Sequence, residues 1–430
     1  MLSAALRRTA RMSIWLVLSA GPSAAADRVT EWALLADSLG HGSANWHSLA
    51  IMHQAMHDAW NAAQPSYARW VPAAVDEPAA NGAATGAAPE AALAAAARRV
   101  LAAEHPDDQA TIEQTYRTAL GRLPSSPARD AGTALGDAIG AAALARRADD
   151  GFRSVRPFPV EKAPGRWRTT PPEFRNSNTT DTRPFLFTSD ADLTPQPPPV
   201  PGTTRFQDVV AEVQRMGSLD ATARSQQQSE AALYWAYQSS QRGYLHLAVR
   251  LLDTYPRPGG LATHTRIMSQ LATALADSAV LIWDEKEQFG YWRPITVIRE
   301  GAPGVVQDPD WTPMIETPPH PEHPSGHASD CFTGANVLQG AFPGLPGPVA
   351  YVAQVGRPPE GQESPGMGQH MQQADSGLPA WREFPDLASM AQNCSDSRIW
   401  AGAHFRTANE ESARVARLIA DRALAAVPPR

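Results

Sequence analysis

Lys286, Arg293, Arg398, His327 and His404 are the side chains of this 430-residue chain whose types and spacing could do chemistry together. They fall in three short segments: Lys286 through Arg293-Pro294, then Pro324-Ser325-Gly326-His327, then Ser397-Arg398 followed by His404. Three cations, a hydroxyl, a glycine N–H and two imidazoles can hold an oxyanion and pass protons at its edge. Lys286 and Arg293 are seven apart, which on a helix is two turns less about 20°, so both would leave one face. Leu271, Leu275, Ala279, Ile282 and Phe289 predict that helix from about 267 to 292, with Pro294 stopping it. Trp283 lies on the same stripe, as does Gly290, which would leave room for a ligand between the cations.

Pro324-Ser325-Gly326-His327 has the grammar of a turn that opens a helix over Ala328 onward. A helix N-terminus with an unshielded glycine N–H is an anion site. Ser325 adds a hydroxyl, although a Ser here also reads as an ordinary N-cap. Arg398 and His404 are six apart, about 120° out of alignment on a helix. They converge on one ligand if the segment approaches from its end, or if a helix begins between them. Each residue taken alone has a bland reading: cations snorkelling on a solvated face, a capping serine, a core histidine.

Taken together, the order K-x6-RP, PSGH, SR-x5-H resembles the superfamily of vanadium-dependent haloperoxidases and type 2 phosphatidic acid phosphatases. Asp277-Ser278-Ala279, Trp283, Phe289, the phrase 308–327, the run 290–299 and Ala55-Met56-His57-Asp58-Ala59 resemble its soluble bacterial haloperoxidase branch. The resemblance implies vanadate as cofactor, with phosphate able to occupy the same site. It implies that Lys286, Arg293, Arg398, Ser325 and the Gly326 N–H bind the oxyanion, that His404 bonds the metal, and that His327 is the acid–base group. Hydrogen peroxide, a halide and a small organic acceptor would be the substrates. In a phosphatase of the same superfamily His404 would be the nucleophile, acting on a phosphate monoester.

The chain departs from the family signature in one respect: the Asp expected four residues after the last histidine is Ala408. That puts phosphatase turnover in particular doubt and removes an orienting partner of His404. His320, seven before His327, resembles bromide-oxidising members, whereas Trp283 resembles the chloride-oxidising arrangement. His323 reads as a loop histidine. The expected activity is oxidation of bromide or iodide to hypohalous acid. The alternatives are an exported acid phosphatase and an oxyanion-binding protein without turnover.

Residues 1–26 read as a signal peptide, with Arg7, Arg8 and Arg11 before a short apolar run and Ala24-Ala25-Ala26 as cleavage site. An exported protein is expected. No later segment is apolar for long enough to span a bilayer. Without residues 1–26, which hold three Arg and no acid, the net charge moves from −7 to −10, which argues against nucleic acid as a partner. Association with a second copy is left open. Cys331 lies four after His327 and Cys394 four before Arg398. Assembly of the cage would bring them close, as a disulfide or as two buried thiols.

The texture predicts a mainly α fold of two packed helical bundles, with the site in the C-terminal one. A helical region covers 27–150, with helices over 45–63, 89–104, 107–123 and 128–148. Within it His53, His57 and Asp58 suggest structural roles more than a metal site. An irregular Pro-rich crossover covers 151–204 and a second bundle 205–430, with helices over 206–216, 222–235, 244–255, 330–338 and 410–426. Residues 353–383 read as a flexible excursion, and strand signals are nearly absent.

Overall fold

The computed structural model describes residues 27–39, 45–71, 86–154, 161, 163–169, 181–187, 192–236, 239–255, 257–352 and 381–430. The proposed leader at 1–26 and most of the excursion at 353–383 lie outside them. The architecture is mainly α. Helices α1 (Arg28–Leu39), α2 (Asn45–Ala63), α3 (Pro89–Glu104), α4 (Gln109–Gly121) and α5 (Pro127–Arg147) pack together first. There follow α6 (Thr204–Met216), α7 (Gln226–Ala236), α8 (Ser240–Thr254), α9 (Gly260–Phe289), α10 (Pro294–Glu300), α11 (Gly326–Ala341), α12 (Leu387–Trp400) and α13 (Arg406–Ala426). A short antiparallel ribbon pairs β1 (Val349–Val352) with β2 (Trp381–Phe384), Val349 opposite Phe384. Helices α10 and α12 are absent from the sequence reading. The first has seven residues, too few to show a period, and the second carries buried Ser395, Ser397 and Arg398 on its inner face.

The first bundle closes on small residues. Helix α3 is a run of alanines, and α5 turns Gly132, Gly136 and Gly140 toward it. A Cβ on Gly136 would stand 2.0 Å from the Ala92 carbonyl oxygen, so the two backbones touch where no side chain fits. Ser126 caps α5 by accepting from the Arg129 N–H, and Pro127 occupies its first turn.

Helix α9, 30 residues long, is the spine between the bundles, packed on α2 on one side and on α11 and α13 on the other. Its polar interior positions are used for cross-links. Thr273 accepts from Gln54 Nε2 (3.0 Å), the hydroxyls of Ser278 and Ser329 meet at 2.7 Å, and Asp277 accepts from the N–H groups of Phe185 and Leu186. The last pair pins part of the crossover to α9. Further crossover contacts reach the end of the same helix, where Trp167 N–H donates to Gly290 O and the Tyr291 hydroxyl to Pro199 O.

The helix carrying Lys286 ends earlier than its apolar pattern suggests. Gly290, at φ 51°, closes α9 at Phe289 and returns its N–H to the Lys286 carbonyl. Arg293 therefore does not share the helix with Lys286. It is the N-cap residue of α10, and Pro294 opens that helix at its first position instead of stopping α9. The role read for Gly290 is corrected likewise: left-handed backbone, which glycine adopts freely, explains it without a ligand.

His57 and Asp58 hold a loop. Asp58 accepts from the N–H groups of Trp70 and Val71, and His57 Nε2 lies 2.9 Å from Ala68 O. Cys331 and Cys394 form a disulfide joining α11 to α12. Among the described residues no helix is long and apolar enough to cross a membrane.

Candidate functional site

The three cations come from three different elements and all are buried: Lys286 near the end of α9, Arg293 ahead of α10, and Arg398 in the last turn of α12. Lys286 Nζ donates to the carbonyls of Pro321 (2.8 Å), Glu322 (3.0 Å) and Pro324, clamping the backbone that leads into α11. Arg293 Nε donates to His320 O at 2.8 Å, and its Nη1 donates to Ala403 O at 2.7 Å. One guanidinium thus ties the segment before α11 to the segment before α13.

His404 lies in the link between α12 and α13, so its spacing from Arg398 is not a helical one. The chain turns through Gly402 (φ 76°), and the N–H groups of Ala403 and His404 both donate back to Arg398 O. A Cβ on Gly402 would meet Gly217 O at 2.6 Å and Pro313 Cβ at 2.8 Å, so the turn needs glycine on two counts. The turn sets His404 Nε2 at 3.1 Å from Arg293 Nη1.

Ser325 and Gly326 open α11. The Ser325 hydroxyl accepts from the Ala328 N–H at 3.5 Å, the capping reading of that residue, and its own proton remains available for donation. Ser412 on α13 fixes the turn by accepting from Ser325 N–H and donating to Ser325 O. Gly326 differs from the packing glycines: a Cβ there would meet only Ile282 Cγ2, at 4.0 Å. The space beside its Cα is open. His327 is held through a backbone hydrogen bond at Trp235, while its Nε2 is buried with no protein partner among the described residues.

His320 faces the cage. Its Nδ1 lies 2.9 Å from Arg293 Nη2, and its ring meets the edge of Trp283 at 4.7 Å between centroids. Both rings, with Gly326 and His327, keep partial exposure, whereas Lys286, Arg293, Ser325, Arg398 and His404 are buried. The mouth of the cage is therefore the side lined by His320, Trp283 and His327. His323 lies in the loop before α11, as read, and is a buried anchor there: its Nε2 meets Gln196 O at 2.9 Å and its ring packs on Phe289.

Glu322 escaped the sequence reading. It is fully buried, and one of its oxygens, Oε1, lies 3.0 Å from His404 Nδ1 and accepts the Phe405 N–H at 2.9 Å. The family spacing points instead to Ala408, whose backbone oxygen accepts the Ser325 N–H. The signal that could have found it was an acid two residues ahead of Pro324, the one acidic or basic residue, histidines aside, between Glu316 and Ala328.

Crowding sets the protonation of the cage. Burial, then Arg293, pushes the Lys286 ammonium well below its usual range, opposed by Glu322. Burial lowers Arg293 to about 9, which leaves it charged at neutral pH. His404 is pushed well down by burial and then by Arg293, and His327 by burial and then by Arg398, so both imidazoles are neutral at pH 7. Burial raises Glu322 to about 7 against the pull of Arg293. A bound anion would relieve the repulsion among Lys286, Arg293 and Arg398. The open space at Gly326, the free Nε2 of His327 and the lone pair of neutral His404 all fit an oxyanion bonded at one apex.

Residues 266–428 match the family model described as the VCPO second helical-bundle domain. Over 159 residues the chain is 31% identical to the vanadium chloroperoxidase of Curvularia inaequalis, covering 31% of this chain and 26% of that protein. The chain thus matches about a quarter of the length of that curated relative. Its fold is similar to that of the first bacterial vanadium-dependent iodoperoxidase, with a TM-score of 0.70 at 21% identity, covering 94% of this chain and 95% of that one. The holo form of a bacterial vanadium-dependent chloroperoxidase gives a TM-score of 0.61 at 16% identity, with 94% of each chain covered. These two likenesses are of fold. Residues 266–428 are thus similar to the second helical bundle of the vanadium chloroperoxidases.

Proposed function

We propose that the protein is an exported, vanadate-dependent haloperoxidase that oxidises bromide and iodide in preference to chloride. The observation that carries the reading is three buried cations gathered at one helix N-terminus, a charge arrangement that asks for an anion. Lys286, Arg293, Arg398, the Ser325 hydroxyl and the Gly326 N–H would hold vanadate, with His404 Nε2 as its protein bond. When bound, vanadate supplies Lewis-acid activation of hydrogen peroxide toward a halide. The protein's part is to keep the cations fixed and dry, to hold His404 neutral, and to offer His327 Nε2 as the site that takes and returns a proton. The N-terminal bundle, residues 27–150, would buttress α9, while residues 205–430 carry the site.

Halide choice rests on the mouth. A neutral His320 accepts from Arg293 and leaves the entry polar, which favours the more easily oxidised halides. Purified protein loaded with vanadate should oxidise iodide and bromide with peroxide, with little chloride turnover, and His320→Phe should shift the balance toward chloride. Bound vanadate with no bromide or iodide oxidation anywhere between about pH 4 and pH 8 would refute the peroxidase reading.

Glu322 favours a second reading. A nucleophilic histidine needs a carboxylate behind it, and Glu322 occupies that place although Ala408 cannot. The same cage could then hydrolyse phosphate monoesters at His404. Phosphate release and bromide oxidation measured on one preparation separate the two activities.

A further inference from the structure

We infer that Glu322 is the positioning residue of His404: it fixes the imidazole as the Nδ1–H tautomer and so aims the Nε2 lone pair into the cage. Two contacts on opposite edges of the ring carry this. Arg293 Nη1, which is only a donor, stands 3.1 Å from Nε2, so that nitrogen must present a lone pair. The ring proton then belongs on Nδ1, where Glu322 Oε1 waits at 3.0 Å. The same oxygen accepts the Phe405 N–H at 2.9 Å, tying the carboxylate to the backbone beside His404. The clamp reaches the other side of the peptide as well, because the Glu322 carbonyl is one of the three that bind Lys286 Nζ. Glu322 N–H donates to Tyr291 O at 2.9 Å, between α9 and α10. A residue so held at its N–H, carbonyl and carboxylate cannot easily shift.

The carboxylate arrives from the segment before α11, not from α13, where the family signature has its Asp and this chain has Ala408. Outer partners of metal-bonding histidines set ring orientation and basicity. The inference rests on the oxyanion reading of the cage for its consequence, but its first measurement needs no ligand.

In 15N-histidine-labelled protein without vanadate, His404 should show the Nδ1–H tautomer. An Nε2–H tautomer or an imidazolium in the wild type would overturn the assignment directly. Calorimetric titration with vanadate and with phosphate then tests Glu322→Ala and Glu322→Gln. If Glu322 acted only as a counter-charge, both variants would bind both anions more tightly. The positioning role expects the opposite for one case: Glu322→Ala loses roughly 10- to 100-fold in vanadate affinity, while its phosphate affinity does not fall. Glu322→Gln keeps an acceptor for Nδ1–H and should restore the wild-type tautomer and vanadate affinity. Glu322→Ala that keeps the tautomer and binds vanadate as tightly as wild type refutes the role. Wild-type protein that takes up neither anion would refute the cage reading, and the tautomer would still decide on Glu322.

Discussion

The α3–α5 pair and the cage at the start of α11 both depend on glycine, for opposite reasons. On α5, Gly132, Gly136 and Gly140 are glycine because a partner is already there: a Cβ would fall 2.0–2.8 Å from atoms of Ala88, Ala92 or Arg99. At Gly326 nothing stands in the way closer than Ile282 Cγ2 at 4.0 Å. The first bundle has removed side chains to let backbones meet, and α3 and α5 leave no gap at these positions. The second has left space beside charged groups that repel one another. One region is finished by folding, and the other, on the proposed reading, would be finished by an anion.

Arg293→Ala probes this contrast with the largest expected effect. It deletes donors to His320 O and Ala403 O and the contact with His404. Each charge-assisted hydrogen bond that the guanidinium would give a bound anion contributes about 1.5–3 kcal/mol, so vanadate affinity should fall roughly 10- to 100-fold by calorimetry. The melting temperature should change little, because the deletion also relieves repulsion from Lys286 and Arg398. A large drop in melting temperature with unchanged affinity would place Arg293 with the structural residues.

Gly136→Val should do the reverse. Backbone cannot retreat from a Cβ 2.0 Å away, so overpacking should lower stability by about 3 kcal/mol in urea unfolding. Vanadate affinity of the folded fraction should match wild type. Gly326→Ala comes next: stability within about 1 kcal/mol of wild type, since alanine suits a helix, but vanadate affinity down roughly tenfold as the methyl enters the cage. A tight-binding Gly326→Ala variant would mean that the open space is not where the anion sits.

The smallest effect is confined to acid. His53 on α2 is buried without a side-chain partner, and burial lowers its pKa to about 3. The unfolded chain binds this proton below about 6.5, whereas the folded one refuses it until far lower, so stability is lost as pH falls through that window. His53→Leu should melt near wild type at neutral pH and progressively above it as pH drops toward about 4. Parallel melting curves across that range would show that His53 does not limit acid stability.

Much of the candidate site was legible because its signature residues are chemically distinctive and sit at fixed offsets within short segments. Lys286, Arg293, Ser325, Gly326, Arg398 and His404 could be named without coordinates, and helices such as α2 and α8 follow from their apolar patterns. The reading erred where neighbouring backbone decides. Gly290 closes α9 although the apolar period runs on, and Pro294 then begins a helix in place of ending one. Helix α12 is hidden because its inner face carries serines and Arg398, which register as polar until the cage around them is seen.

Composition and spacing alone determined a mainly helical chain with an oxyanion-type constellation in its C-terminal half, since side-chain chemistry and local periodicity are properties of short stretches. Only the tertiary structure decided which groups meet. It set His320 against Arg293 and Trp283 at the mouth, joined Cys331 to Cys394, and put Glu322 behind His404 in place of an acid on α13. Those contacts link residues 27 to 82 positions apart, and their geometry depends on how α9, α11, α12 and α13 pack, which no local pattern encodes.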